Sequence, residues 1–362
     1  MLSPRSPNTA LTLILPGLIW PPQALADMTQ GLSLPALSRL LGAGHLARTE
    51  GLSIADSLAR HLGAPELRPG ATLRRKSLAL DAGAEAHERW LCLDPIHLGF
   101  AERRLLVESP EDLKLTQDEA AQLVSSLQLC FSGLGEIEVT TAQQWHARLA
   151  PGVVPPQTDS LAEMIGKRAD TLLAGLPPLW KQALNDAQIE LHAHPVNQAR
   201  EAAGRPTVNS LWPWGGEPCD VSPQSPPHAT IPSPPASMLL ANSIELRAMG
   251  IHLGLACQPV PEGWDNYSSG MEQTVAVLDS LAIPARRADA NGWREALLHL
   301  EQQWFAPILA SLTGGTLRHL RIDFIDEKHG HSLTCTRGDL WLDRLAFWRT
   351  PVSIRSLAAG DA

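Results

Sequence analysis

The span Leu191–Gly216, LHAHPVNQAREAAGRPTVNSLWPWGG, decides how the rest of the chain is read. Its pattern predicts a helix over 183–203, with Leu184, Ile189 and Leu191 turned inward. Gly204 supplies a C-terminal stop, and Pro206, which has no N–H to donate, forbids continuation. Val208 to Trp212 is a short apolar run ending at Pro213-Trp214-Gly215-Gly216, so it reads as a buried strand opening into a glycine loop. In open α/β sheets ligands gather at the carboxyl ends of strands, and a glycine pair there lets backbone N–H groups approach an anion closely. The same residues also suit a plain helix–strand junction with tryptophans in the core. At the level of residues both readings stand.

A chain of 362 residues accommodates two domains, or one large domain with an insertion. Its apolar fraction of 44% is that of a globular protein. A formal charge of −9 gives no net positive field to recruit phosphates, so no nucleic-acid partner is expected. The longest basic run, Arg74-Arg75-Lys76, reads as three solvated charges in a loop. The five cysteines are scattered and include no Cys-x-x-Cys pair, which makes neither a disulfide framework nor a zinc site and suits reduced thiols in the cytosol. Arg5, the apolar run 11–20 and Ala24-Leu25-Ala26 imitate a secretory signal over residues 1–26, yet Pro16-Gly17 interrupts the run and 11–15 reads equally as a buried first strand. No other segment approaches the length of a membrane span.

Along the chain, helices are predicted over 34–41 with Pro35 at its start, over 54–62, over 116–131 with a Thr116/Glu119 capping box, over 244–255 behind Ser243, and over 293–312. Strands are predicted at 11–15, 90–93, 104–108, 136–140, 145–149, 274–278, 317–325 and 333–336. Residues 63–86 read as a connection, and the Pro-rich 218–236 as a flexible loop.

Asp323, Asp326, His329 and His331 are close enough in sequence to suggest a metal cluster, with a hairpin tip as the plainer reading. Ser53 could be a nucleophile at a helix start, although an N-cap serine is the commoner use. His192 and His194 do not share a helix face and make a poor chelating pair. There is no dinucleotide fingerprint, no phosphate loop and no Gly-x-Ser-x-Gly.

His194-Pro195-Val196-Asn197, followed by Arg200, Gly204 and Asn209 before a glycine turn, resembles a segment of the archaeal type of cofactor-independent phosphoglycerate mutase, in the alkaline phosphatase superfamily. The resemblance extends to 11–17 as the first core strand, to Leu34-Pro35-Ala36-Leu37 as the helix after it, and to 115–127, 145–149, Val154-Pro155-Pro156 and Gly166-Lys167 as the inserted domain. Asp289-Ala290-Asn291-Gly292-Trp293 resembles that family's Asp-x-x-Gly-His. The Trp-Pro-Trp-Gly-Gly ending is closer to a group of bacterial regulatory proteins of the pathogenicity-factor type. The implied fold is α/β, an alkaline phosphatase-like three-layer core with an inserted small α+β domain. Its implied boundaries are 1–65 and 181–362 for the core and 66–180 for the insertion. A first core strand at 11–15 implies that residues 1–26 are retained and that the protein is cytoplasmic.

Departures from the family govern the expected function. Its chemistry needs two metal ions on Asp and His and a Ser or Thr that is phosphorylated in transit. Here Pro16-Gly17 stands for the metal-binding Asp-Gly, Trp293 for a metal-binding His, and Trp214 for an arginine, while the late Asp-His pair is missing near 322–325. Losing several ligands at once leaves no pair of divalent ions to neutralise the charge that develops in phosphoryl transfer. The expectation is a catalytically degenerate regulatory or ligand-sensing protein without cofactor. Its cleft would be lined by His194, Asn197, Arg200, Asn209, Trp212, Trp214, Gly215 and Gly216, facing a small molecule or a protein partner. The rival is an active mutase or phosphatase using manganese or another divalent ion on Asp289, Asp323, Asp326 and His331. A protein-interaction scaffold is the third reading.

Overall fold

The structure is a computed structural model that describes residues 9–78, 88–101, 104–108, 110–167, 175–216, 235–267 and 273–345, together with 354 and 357. Most of the Pro-rich segment lies outside the described residues, as do Phe347 and Trp348. In chain order the strands are β1 Ala10–Pro16, β2 His45–Glu50, β3 Trp90–Ile96, β4 Leu98–Ala101, β5 Arg104–Val107, β6 Gly135–Thr141, β7 Gln144–Leu149, β8 Ser210–Trp214, β9 Met238–Leu240, β10 Ala256–Gln258, β11 Gln273–Val277, β12 His319–Ile325 and β13 His329–Thr336.

The chain forms two compact units, Met1–Arg68 with Ile231–Ala362, and Pro69–Thr230. This moves the expected boundary. Residues 181–230, assigned from sequence to the core, belong to the smaller unit because β8 pairs with β3 there.

Unit 1 is α/β. Its seven-stranded sheet runs β10-β9-β11-β1-β12-β13-β2, with β1 parallel to both β11 and β12. β13 is antiparallel to β12, and β2 to β13. Successive residues of a strand face opposite sides, so Leu11, Leu13 and Leu15 enter one core with Leu37, Leu40, Trp293, Trp304 and Ile308. Ile14, also buried, faces the other side, and the helix Ile54–His61 lies against β1. The sheet is thus covered on both faces, which is why β1 is almost wholly apolar. The long helix predicted over 293–312 is helix Ala290–Leu300, a π turn at 301–305 and helix Ala306–Gly314 in succession. In that π turn the buried Glu301 carboxylate accepts the N–H groups of Ala36 at 2.6 Å and Leu37 at 3.1 Å. It thereby caps the helix Pro35–Ala43, whose own preceding residue, Leu34, has no side chain able to do so.

Unit 2 is an α+β assembly around an antiparallel sheet, β6-β7-β3-β8, with a separate β4–β5 ladder. One face (Leu91, Leu93, Trp145, Leu211) packs on helices Gln117–Leu127 and Pro178–Ala193. The other (Trp90, Cys92, Trp212, Trp214) packs with Ala71 of helix Ala71–Ser77. The capping box forms as read, Thr116 Oγ1 accepting from Glu119 N at 3.2 Å. The edge strand β6 is blunted by Gln128, whose side-chain amide donates to Ile137 O at 2.6 Å and accepts from Ile137 N at 3.1 Å, taking the place of a neighbouring strand.

Candidate functional site

The span 191–216 folds differently from its reading. The single expected helix is two, Pro178–Ala193 and Pro195–Ala202, meeting at His194. Pro195 cannot continue a helix through its own position but is well placed at the start of the next. Half-buried His194 is that helix's N-cap, its Nδ1 accepting from Val196 N at 3.2 Å. Ile189, expected inside, is 71% exposed, whereas Leu184 and Leu191 are buried.

The expected cleft residues are brought together only in part, and they face inward. Asn197 donates to Leu191 O and Val208 O, both at 2.7 Å, and accepts from Val208 N at 3.0 Å. Arg200 is fully buried; it reaches Pro206 O at 2.8 Å, Glu119 at 2.9 Å and Leu113 O. Burial alone would raise the Glu119 carboxyl, but the Thr116 N–H, Arg200 and Arg205 outweigh it and hold the group below its ordinary range. Asn209 accepts from Leu98 N at 2.7 Å and donates to Leu98 O at 3.0 Å. Trp212 donates to Asp159 O at 3.0 Å and Trp214 to Asp94 at 2.8 Å. Gly215 has φ +66°, and a Cβ there would meet Gly70 Cα at 2.8 Å; at Gly216 it would meet Pro155 at 2.5 Å. Gly215 is thus required by close backbone packing on Gly70, and Gly216 by the side chains of Pro155 and Leu91, a packing reason for both glycines that calls for no anion. An open recess of ≈ 1160 Å³ in unit 2 is lined by Arg89, Gln128, Glu136 and Arg148 among others, and by none of the residues of 191–216.

Sequence reading missed the buried polar centre of unit 2. Arg74 and Arg75, expected as solvated loop charges, sit buried on helix Ala71–Ser77. Arg74 forms a two-pronged pair with Asp94 (2.8 and 2.9 Å) and donates to His146 Nε2 at 3.0 Å and Trp145 O at 2.8 Å. Asp94 also accepts from Trp145 N at 3.1 Å. Burial first, then the charges of Arg74 and Arg75, push His146 down to about 2, so its ring is neutral. With Nε2 accepting from Arg74, the ring proton lies on Nδ1 and is donated to Thr140 Oγ1, 2.6 Å away. Arg75 lies over the Trp90 ring at 3.4 Å and pairs with Glu138 at 3.0 Å. The available signal was Asp94 itself, since a carboxylate within an apolar strand run must find a partner when buried.

In unit 1 the parallel strands end together at the edge where such sheets bind ligands. The turn after β1 is closed by aromatic side chains. Gly17, at φ +81°, presents its carbonyl to the indole N–H of Trp293 at 2.8 Å and of Trp20 at 3.3 Å. The two indoles meet edge to face at 5.9 Å. Asp289 is exposed and serves as N-cap of helix Ala290–Leu300, accepting from Gly292 N at 3.0 Å. Ser53 is likewise an N-cap, bonded to Asp56 N at 3.0 Å and to its carboxylate at 2.9 Å.

The alternative metal set does not assemble. Asp323, on β12, pairs with His61 at 2.5 Å and Arg321 at 2.8 Å. Burial would raise this carboxyl, but those two partners hold it below its ordinary value. His331 is set across from Phe324 rather than Asp323, and so on the opposite face of the sheet. Asp289 is engaged as a cap. Among the described residues no three His, Cys, Asp or Glu side chains are grouped to hold a metal ion. The donor set therefore does not fit a pair of divalent ions on Asp289, Asp323, Asp326 and His331.

No family model matches the sequence, and no curated protein matches it. Among solved structures the chain is similar to a cofactor-independent phosphoglycerate mutase from Thermoplasma acidophilum, with 15% identity, a TM-score of 0.43, and coverage of 91% of this chain and 90% of that one. It is also similar to the PH0037 protein from Pyrococcus horikoshii, with 12% identity, a TM-score of 0.47, and coverage of 91% and 87%. No helix among the described residues is long and apolar enough to cross a membrane.

Proposed function

We propose that this protein is a catalytically degenerate relative of the cofactor-independent phosphoglycerate mutases, on an alkaline phosphatase-like core, acting in a regulatory role through what it binds. The observation that carries this reading is the end of β1, where Pro16 stands for the family's metal-binding Asp and the carbonyl of the next residue, Gly17, accepts two indole N–H bonds. An indole offers no lone pair to a cation, and a carbonyl already accepting two hydrogen bonds is a poor ligand. Asp289 as a helix cap and Asp323 as the partner of His61 and Arg321 support the same reading. Cytoplasmic placement and kinship with the pathogenicity-factor type of bacterial regulator are part of this proposal and rest on sequence resemblance.

The test is turnover of 3-phosphoglycerate by the full chain with added manganese, beside an Asp289→Ala variant. The expected result is no metal-stimulated rate above the blank for either protein. Manganese-stimulated turnover that Asp289→Ala abolishes would overturn the reading in favour of an active enzyme.

A further inference from the structure

Asn291 and Gly292 form the only Asn-Gly pair in the sequence. An asparagine before glycine is the most prone to close on itself. The glycine, lacking Cβ, leaves its nitrogen open to attack the preceding side chain and free to take the backbone angles that ring closure needs. The pair lies in the first turn of helix Ala290–Leu300, and residues 287–291 are all exposed. One bond guards it. Gly292 N donates to Asp289 Oδ1 at 3.0 Å, so the attacking nitrogen is held in the N-cap, and the helical backbone keeps it from Asn291 Cγ. The turn before the cap is strained, with Ala288 in the left-handed region at φ +54°. The two asparagines that precede serine are tied down instead. Asn209 bonds Leu98 N and O at 2.7 and 3.0 Å, and Asn242 accepts from Val260 N at 3.1 Å.

We propose that Asn291 is a self-modification site gated by the Asp289 cap. When the first turn of the helix opens, Gly292 N attacks Asn291 Cγ. The bond from Cγ to the side-chain nitrogen breaks, and that nitrogen leaves as ammonia, carrying the Gly292 proton. Water then opens the resulting succinimide ring. Addition at Cγ gives aspartate; addition at the backbone carbonyl of residue 291 gives isoaspartate, in which the chain runs through Cβ and Cγ and is longer by a methylene. Either product sets a new carboxylate at the helix N-terminus beside Asp289. The lengthened backbone lies in the same turn as Trp293, whose indole N–H holds the Gly17 carbonyl at 2.8 Å. The change thus reaches the end of β1 with water as its only co-reactant, whether or not the chain turns over a substrate.

The experiment incubates the full chain in mildly alkaline buffer and follows each asparagine by peptide mass spectrometry, with isoaspartate read by enzymatic methylation of its carboxylate. Residue 291 is expected to convert ahead of every other asparagine, and faster as the pH rises, because the attacking nitrogen must lose its proton. Loss of an N-cap, about 1 kcal/mol, opens the turn about fivefold more often. Asp289→Ala should therefore convert about fivefold faster than the parent, and Asp289→Ser, which keeps a capping oxygen, at close to the parent rate. Each variant is compared with the parent by far-UV circular dichroism. Should Asp289→Ala not fold, Ala288→Gly, which relieves the strained turn, carries the test by converting more slowly than the parent. Another asparagine converting first, or residue 291 converting no faster in a folded Asp289→Ala chain, would each overturn the proposal.

Discussion

Unit 2 buries an arginine, an aspartate and a histidine together at a place built for packing, while unit 1 sets tryptophans at the place where sheets of its kind bind ligands. In unit 2 every one of those polar groups has a protein partner: Asp94 alone meets Arg74, Trp145 N and Trp214. In unit 1 the end of β1 presents a carbonyl already claimed by Trp293 and Trp20. Residue type therefore does not mark a site. A charged residue becomes chemically available only where the fold leaves some of its bonding capacity unmet, and neither location does so.

The largest expected effect breaks the unit 2 side of this contrast. Asp94→Ala leaves the Arg74 guanidinium buried without its counter-charge and strands the N–H groups of Trp145 and Trp214. Loss of one partner of a buried pair costs about 3–5 kcal/mol, readable as a fall in the urea midpoint followed by tryptophan fluorescence. Replacing both partners by apolar residues, Arg74→Met with Asp94→Leu, should recover the part of that loss due to the uncompensated charge but not the part due to the stranded N–H groups of Trp145 and Trp214. An Asp94→Ala chain as stable as its parent would return this cluster to the list of functional candidates.

Next comes the turn after β1. Gly17→Ala places a Cβ 2.6 Å from Leu281 O at φ +81°. Strain at a left-handed position with no room to relax should cost about 2–3 kcal/mol in the same assay. A smaller effect follows from the His61–Asp323 pair. Because the folded carboxyl titrates below its ordinary value of 3.8, the pair contributes stability above that pH and loses it as the pH falls through the folded value. His61→Ala should lower stability at pH 7 by about 1.5–2 kcal/mol, as for a hydrogen bond to a charged group, and flatten the acid limb of the stability curve below pH 4. An unchanged acid limb would show that Arg321 alone holds the carboxylate.

How much of this was legible depends on the range of the interaction concerned. Local signals read well: Ser53 and Thr116 cap their helices, and the apolar run 11–15 became β1, the strand between two parallel neighbours. The α/β class follows from those strands and helices. What failed depended on partners far along the chain. Arg74 and Arg75 look solvated until Asp94, Glu138 and Trp90 are brought to them. Gly215 looks like a ligand loop until Gly70 is packed against it. β2, reading HLARTE with most residues exposed, has no apolar alternation to announce it and is defined only by pairing with β13. The domain boundary moved for the same reason, since β8 joins a strand more than a hundred residues earlier.

The smallest effect sharpens the unit 1 side. Asp289 is exposed, and its carboxylate makes one structural bond, to Gly292 N at 3.0 Å. Asp289→Ala therefore loses only an N-cap, about 1 kcal/mol, and Asp289→Ser, which keeps an oxygen able to accept that N–H, should restore most of it. The two substitutions separate capping from ligation. If Asp289 serves only the helix, manganese shifts the melting temperature equally in parent, Ala and Ser chains. If it holds a cation, the parent alone gains stability with added manganese, by an amount that grows with free metal concentration, and serine, a neutral and weaker ligand, cannot replace it. A metal-dependent difference between parent and Asp289→Ser would thus reopen the end of β1 as a cation site even though its nearest carbonyl is bonded to two indoles.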